Sequence, residues 1–287
     1  MTKPTYSFEF FPPKSLEASF RLWDTVHNLA PLDPSFVSVT YGAGGTTRKL
    51  THEAVMTIGK TTGMRVAAHL TCVEASRRET LDIAESYAAA GVTDIVALRG
   101  DMPGGGAFRK HDEGFSNSVE LIEALARTGR FNLMVGAYPD LHPEAASMDA
   151  NVEFLKRKVD AGASAAITQF FFDTDSFLRF RDRCAAAGIG VPIMPGVVPI
   201  ENWKGVRKFA KGCGMEIPEW IDSAFEAADR EGRSEELAMS LCTEMCTKLV
   251  NNGVEHLHFY TLNKPDLSRD VIHTLGLAPD PSLSHVA

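Results

Sequence analysis

A carboxylate set among phenylalanines opens the chain. Glu9 lies in "SFEFFPPKS", Ser7 to Ser15, in a run that otherwise reads as a buried strand. Alternate residues of a strand face opposite sides, so Glu9 shares a face with Ser7 and Phe11 while Phe8 and Phe10 face away. An unpaired buried carboxylate is costly unless it takes up a proton. Glu9 must therefore line a polar cavity or meet a partner, and the chemistry open to it there is that of a general acid.

Other apolar runs also close on polar or aromatic groups: Thr40 and Tyr41 in "FVSVTYG", His69 and Thr71 in "VAAHLTC", and Arg99 and Asp101 in "DIVALRGD". Tyr138 in "NLMVGAYP", Gln169 in "SAAITQFFF", and His258 and Tyr260 in "VEHLHFYTLN" repeat the pattern. Singly, each reads as a polar cap on a loop; gathered in one place, they would form an active site. His69, His142, His256 and His258 are too scattered for a metal triad, and no metal site is expected. There is no Gly-x-Ser-x-Gly elbow, and no lysine ends a strand as a Schiff-base former, although Lys264 closely follows the last one. An acid without an evident nucleophile or metal points to a cofactor that carries the harder chemistry. His142 in "AYPDLHPEA" and the run Lys156, Arg157, Lys158 add cations. The run reads either as a solvated helix face or as ligands for a pyrophosphate.

Eight short apolar segments could position these groups: Tyr6–Phe11, Phe36–Tyr41, Arg65–Thr71, Asp94–Arg99, Asn132–Tyr138, Ala165–Phe172, Val191–Val197 and Glu255–Tyr260. Helix-period segments lie between them, several ending in glycine as a C-cap should. In "ELAMSLCTEMCTKLV", Leu237, Leu241, Met245 and Leu249 form one predicted apolar stripe. Alternating strand and helix predicts a parallel sheet, and eight repeats predict a closed α/β barrel of the (β/α)8 TIM type. One or two extra helices are expected between Trp203 and Leu249, before the last strand. The barrel should span residues 1–276 as a single domain, followed by a flexible tail, 277–287. A doubly wound open sheet is the alternative. It is weakened because "GAGGTT", Gly42 to Thr47, lacks the third glycine of a dinucleotide fingerprint.

With 287 residues, 44% hydrophobic and 23% charged, the chain can bury a large core. A net charge of −8 without a Lys/Arg run argues against nucleic acid, so an anionic ligand must be held by local cations. Five irregularly spaced cysteines fit free thiols in a reducing compartment, and neither a signal-peptide core nor a membrane-length apolar run is present. A cytoplasmic location and no membrane partner are expected.

The blocks "FEFFPPKS", "SVTYGAGGTTR", "AHLTC", "IVALRGD", "GAYPDLHPEA", "KRKVDAGASAAITQFFFD", "PIMPGVVPI" and "FYTLNK" together resemble those of the methylenetetrahydrofolate reductase family in its bacterial short form. The likeness runs from about Ser7 to Gly276, with the blocks in family order. It implies an FAD-containing barrel that moves hydride from NADH or NADPH through flavin to 5,10-methylenetetrahydrofolate, giving 5-methyltetrahydrofolate, in either physiological direction. It also implies small-molecule partners and a homo-oligomer. By motif, Glu9 resembles the general acid that protonates the bridging nitrogen, held in a partly apolar slot that keeps its pKa high. Asp101 resembles the carboxylate near flavin and pterin. Thr40, His69, Arg99, Gly100, Tyr138, His142, Arg157 and Lys158 resemble flavin-binding positions, with Arg157 and Lys158 toward the phosphates. Gln169 resembles the amide that reads the pterin edge. Phe209 falls where an aromatic stacks on nicotinamide or folate, and Tyr260 and Lys264 lie toward the substrate. Three positions depart from familiar members. Asn151 and Phe154 replace an Asp and a polar residue that touch the flavin's ribityl–adenosine part, and Gly205 replaces a Gln. The chain also begins almost at the first strand, so a less covered lower end of the barrel is expected. Weak or altered flavin use, and a barrel that binds folate or flavin without turnover, are the alternative readings.

Overall fold

The computed structural model describes residues 3–42 and 47–279. Most of the "GAGGTT" turn, at 43–46, and tail residues 280–287 lie outside the described residues. Eight parallel strands close into a barrel in sequence order: β1 (Thr5–Phe10), β2 (Phe36–Val39), β3 (Val66–Thr71), β4 (Asp94–Leu98), β5 (Asn132–Ala137), β6 (Ala165–Phe170), β7 (Ile193–Val197) and β8 (His256–Tyr260). All eight expected strands are present. The ladders stop before Tyr41, Arg99, Tyr138 and Phe172, so these residues sit on the loops just past strand ends. Pairing of β1 with β8, from Thr5↔His256 to Glu9↔Tyr260, closes the ring.

The described residues form ten α-helices around this barrel: α1 (Leu16–Leu29), α2 (Arg48–Thr62), α3 (Arg77–Ala89), α4 (Ser118–Ala126), α5 (Met148–Asp160), α6 (Thr174–Ala186), α7 (Trp203–Gly212), α8 (Glu219–Glu231), α9 (Ser234–Asn251) and α10 (Asp266–Thr274). Their starts are written locally. Ser76 and Glu79 make a reciprocal capping box on α3, while Asn117 and Ser147 cap α4 and α5. α7, α8 and α9 all fall between β7 and β8, two more than the repeat needs, in line with the expected insertion. The α9 stripe is corrected by one position. Ala238, Cys242, Cys246 and Leu249 are its buried residues, whereas Leu237, Leu241 and Met245 are only partly buried. Close packing against α8 and α10 selects the smaller side chains for the line of nearest approach.

Two layers of core follow from strand alternation. Tyr6, Phe8 and Phe10 point outward and share a buried cluster with Leu22, Val26 and Leu29 of α1. A separate, smaller cluster fills the barrel: Phe36, Ala67, Val96, Met134, Ile167 and Met194, one from each of β2 to β7. β1 and β8 instead turn Ser7, Glu9, His256 and His258 toward one another inside the barrel. At the amino end of the strands, Arg65 forks onto the buried Asp94 carboxylate, and Asn132 Nδ2 donates to the same carboxylate at 3.3 Å. No helix among the described residues is long and apolar enough to cross a membrane.

Candidate active site

Glu9 is the next-to-last residue of β1 and is 8% exposed. Its partners come from three other strands. His69 Nε2 of β3 lies 3.2 Å from Oε2, His258 Nε2 of β8 lies 3.5 Å from the same oxygen, and the Ser38 hydroxyl of β2 donates to it at 3.4 Å. Both imidazole nitrogens are buried, lie off the in-line direction for a hydrogen bond, and have no other partner among the described residues. Burial pushes the Glu9 carboxyl up, but His69 and His258 pull it down further, to about 2. The expected raised pKa is therefore corrected. The slot is not apolar: its walls carry two imidazoles and a hydroxyl, which stabilise the anion more than burial penalises it.

The mouth above Glu9 is built by loops and by the inserted helices. Thr261 Oγ1 donates to the Glu9 carbonyl at 2.7 Å, and the Asn263 side chain both accepts from the Phe11 N–H and donates to its carbonyl, each at 2.9 Å. These bonds pin the end of β1. The Tyr260 hydroxyl donates to the Thr168 carbonyl at 2.8 Å. The Tyr260 ring lies so near Gly196 that a Cβ there would fall 2.4 Å from Cε2, which is why β7 carries glycine at that position. Phe209 of α7 is half-buried, stacked on Phe170 with centroids 5.4 Å apart, and meets Phe11 edge-on. Gln169 is half-buried and turns its Oε1 back to the Phe170 N–H. Lys264 is exposed beyond this rim. Thr40, past the end of β2, accepts the Thr51 hydroxyl on its carbonyl. Cys213, which caps α7, lies within the fields of both sides. Burial, with Asp101 and Glu9 adding their negative fields, pushes its thiol up to about 11.

Beside this rim lies an open cavity of about 470 Å³ between the ends of β4 and β5 and the helix α5, lined among others by Arg99, Gly100, Asp101, Tyr138, His142 and Lys158. Gly100 takes φ +85°, and a Cβ there would strike Val73 and Thr71, so the chain can turn into the cavity only with glycine. Tyr138 and His142 meet edge to face at 4.5 Å. Burial raises Tyr138 to about 12 and lowers His142. Arg99 forks onto Glu144 and lies 4.9 Å over Phe108, while Asp101 is exposed at the rim.

Helix periodicity separates Arg157 from Lys158 on α5. Val152, Leu155 and Lys158, three residues apart, share the buried face, and Arg157 points outward. Arg157 does not line the cavity; its guanidinium sits 5.6 Å over the Phe154 ring. Lys158 is 8% exposed, donates from Nζ to the Gly136 carbonyl at 2.7 Å, and has no carboxylate within ion-pair distance among the described residues. Burial, with Arg99 nearby, lowers its ammonium to about 8. Asn151 and Phe154 also line the cavity, Asn151 donating to the Tyr138 carbonyl at 2.8 Å.

Three contributors were not singled out from the sequence. Ser38 and Ser7 touch the acid cluster, and Glu144 orients Arg99. Strand alternation around Ser7 and Glu9 was a usable signal for the first, and "HPEA" carried Glu144 without assigning it a task.

A closed (β/α)8 barrel with a buried carboxylate–imidazole cluster beside an open polar cavity at the carboxyl ends of its strands has the layout of an α/β-barrel enzyme. The comparisons narrow that class. The methylenetetrahydrofolate reductase family model matches residues 1–276, so the chain belongs to this oxidoreductase family. It is 45% identical over 275 residues to the 5,10-methylenetetrahydrofolate reductase of Pectobacterium carotovorum, covering 96% of this chain and 91% of that one. The Escherichia coli K12 reductase of the same name is 45% identical, with 95% and 91% covered. Among solved structures, a Clostridium thermocellum protein that binds two copies of 5-methyl-5,6,7,8-tetrahydrofolic acid superposes with a TM-score of 0.64 over 95% of this chain and 94% of that one. At 13% identity it shares the fold.

Proposed function

We propose that this chain reduces 5,10-methylenetetrahydrofolate to 5-methyltetrahydrofolate with hydride from NADH or NADPH, using FAD. The observation that carries the reading is the pairing, at one mouth, of a buried acid cluster with a cavity whose Lys158 ammonium lacks a carboxylate partner. The reductase relatives and the methyl-folate bound by the Clostridium thermocellum protein support it. When bound, FAD supplies a two-electron carrier between nicotinamide and folate. The cavity fits such a group. Lys158 and Arg99 offer charge to a phosphate, Tyr138 and His142 offer aromatic faces, and the turn at Gly100 lets backbone approach closely. Thr40 and His69 complete the flavin-binding set, with Arg157 at the outer edge.

Glu9 delivers the proton that opens the methylene bridge to an electrophilic iminium. Its carboxyl rests as an anion between His69 and His258, so it takes up that proton during turnover. Asp101 favours the cationic iminium from the rim. Gln169, Tyr260, Phe209 and Lys264 line the folate and nicotinamide face. The enzyme works in the cytoplasm as a homo-oligomer, toward methionine synthesis or in reverse on methyl-folate.

A second reading, weak or altered flavin use, is favoured by Phe154, whose ring packs under Lys158 at 5.0 Å and offers no hydrogen bond to a ribityl chain. The visible spectrum of the purified protein, with steady-state assays on NADH, NADPH, methylene-folate and methyl-folate, tests both. Flavin bands with turnover support the first reading, and a colourless protein that turns over supports the second. A protein that binds neither flavin nor folate overturns both.

A further inference from the structure

The acid cluster does not end at His258. Below the 3.5 Å contact between Glu9 Oε2 and His258 Nε2, a hydrogen-bonded file of side chains descends inside the barrel between β8 and β1, and a small turn of the His258 ring would align its Nε2 with the carboxylate. His258 Nδ1 is 2.7 Å from Ser7 Oγ; Ser7 Oγ is 2.7 Å from His256 Nε2; His256 Nδ1 is 2.7 Å from Thr5 Oγ1. Ser7 and His258 are fully buried, His256 is half-buried, and Thr5 is exposed as the first residue of β1. The file thus runs from solvent at the amino end of the strands to Glu9 near the mouth, about 13 Å at strand rise. Phe36 of β2 walls it, stacked on His256 at 5.5 Å and on His258 at 5.8 Å. The other strands contribute the apolar cluster from Phe36 to Met194 inside the barrel, and the charged pair Arg65–Asp94 with Asn132 lies at their amino end.

We infer that Thr5, His256, Ser7 and His258 form a proton relay through the barrel that reloads Glu9 from the face opposite the substrate. The inference rests on the role proposed above for Glu9, which gives up one proton per methylene group reduced. Each neutral imidazole carries one proton and one lone pair, and each hydroxyl donates one proton, so the file has two polarities. With protons on His258 Nε2 and His256 Nε2, a concerted shift moves His258 Nε2–H to Glu9, the Ser7 proton to His258 Nδ1, His256 Nε2–H to Ser7 and the Thr5 proton to His256 Nδ1. Solvent then restores Thr5. One proton enters at Thr5 and one arrives at Glu9; no other bond changes. Rotation of the two hydroxyls and tautomer exchange at both imidazoles reset the file. That reset is driven by the bare His258 Nε2 left facing an anionic carboxylate 3.5 Å away. The Thr5 hydroxyl is placed to serve both polarities, since it also reaches the Glu255 carbonyl at 3.3 Å. Burial and the neighbouring His258 hold His256 neutral, its pKa lowered to about 3, as such a carrier requires.

The relay demands that His256 and His258 carry their protons on the same-named nitrogen and switch together through Ser7. Nitrogen NMR of the full chain labelled at histidine reads this directly. In the parent, both rings should show matching tautomers, and Glu9→Gln should move both sets of shifts. In Ser7→Ala/Glu9→Gln only His258 should move. Turnover with methylene-folate should fall roughly 10- to 100-fold in Ser7→Ala, less than the ~10²–10⁴-fold effect of losing the proton donor itself, with an altered solvent isotope effect. Ser7→Thr, which keeps the hydroxyl, should restore both. Histidines that respond independently in the parent, or Ser7→Ala turnover and isotope effect equal to the parent's, would overturn the relay. A parent protein inert toward methylene-folate would instead sink the functional proposal, and the NMR comparison would still decide whether the file is coupled.

Discussion

The two polar regions of the mouth are opposites. Around Glu9 the charges are closed in: carboxylate, two imidazoles and a hydroxyl meet within 3.5 Å, and the shell beneath them continues through Ser7. Around Lys158 the charge is left open, buried against a carbonyl and one arginine with a cavity in front of it. The first site holds its own counter-groups to the carboxylate without a ligand; the second has no carboxylate within ion-pair distance of its ammonium among the described residues. The contrast teaches where each region's energy lies. The acid cluster stabilises the ligand-free chain through its own ion, whereas the cationic cavity costs the ligand-free chain stability that an anion can restore.

The sharpest way to break this comparison is Glu9→Gln. The folate half-reaction should slow ~10²- to 10⁴-fold while nicotinamide-driven flavin reduction is unchanged. Equal loss in both half-reactions, measured by stopped flow, would remove Glu9 from the acid role. The same variant tests the pKa. A carboxyl lowered from 4.5 to about 2 contributes stability that is present above about pH 4.5 and is lost as pH falls toward 2. Glu9→Gln should therefore flatten the acid limb of a stability–pH curve, and an unchanged limb would mean the carboxylate is not held by its histidines.

Lys158→Met probes the other region, with two effects of opposite sign. An ammonium lowered from 10.5 to about 8 costs the ligand-free chain up to roughly 3 kcal/mol at neutral pH, a cost relieved as pH rises from 8 toward 10.5. The variant should melt higher without ligand and release FAD more readily on dilution, by about tenfold or more. A variant that is less stable and still retains FAD would place the phosphate site elsewhere.

Asp101→Asn should raise the flavin potential and slow folate reduction about tenfold, because it removes one exposed rim carboxylate from a partly hydrated site. The smallest change expected is from Phe154→Asn. A regained hydrogen bond of about 1 kcal/mol should tighten FAD several-fold by titration, and no change would mean that the cofactor avoids α5 at that turn.

Much of this was written locally. Alternation of apolar runs with helix-period segments was enough for eight strands and a closed barrel, because each element's period depends on its own backbone geometry. Even the split between Lys158 and Arg157 is present in the spacing from Val152 and Leu155, although the family resemblance implies both as phosphate ligands. The strand-end polar groups marked the mouth for the same reason. The charge state of Glu9 was not written there. It depends on His69 and His258, remote in sequence and joined to Glu9 only by the stagger at which β1, β2, β3 and β8 pair. A sequence carries the face a residue occupies, since that follows from a period of two. Which residues meet across the barrel is decided by register and closure, and electrostatics falls off over so few ångströms that this meeting, not the residue types alone, determines who holds the proton.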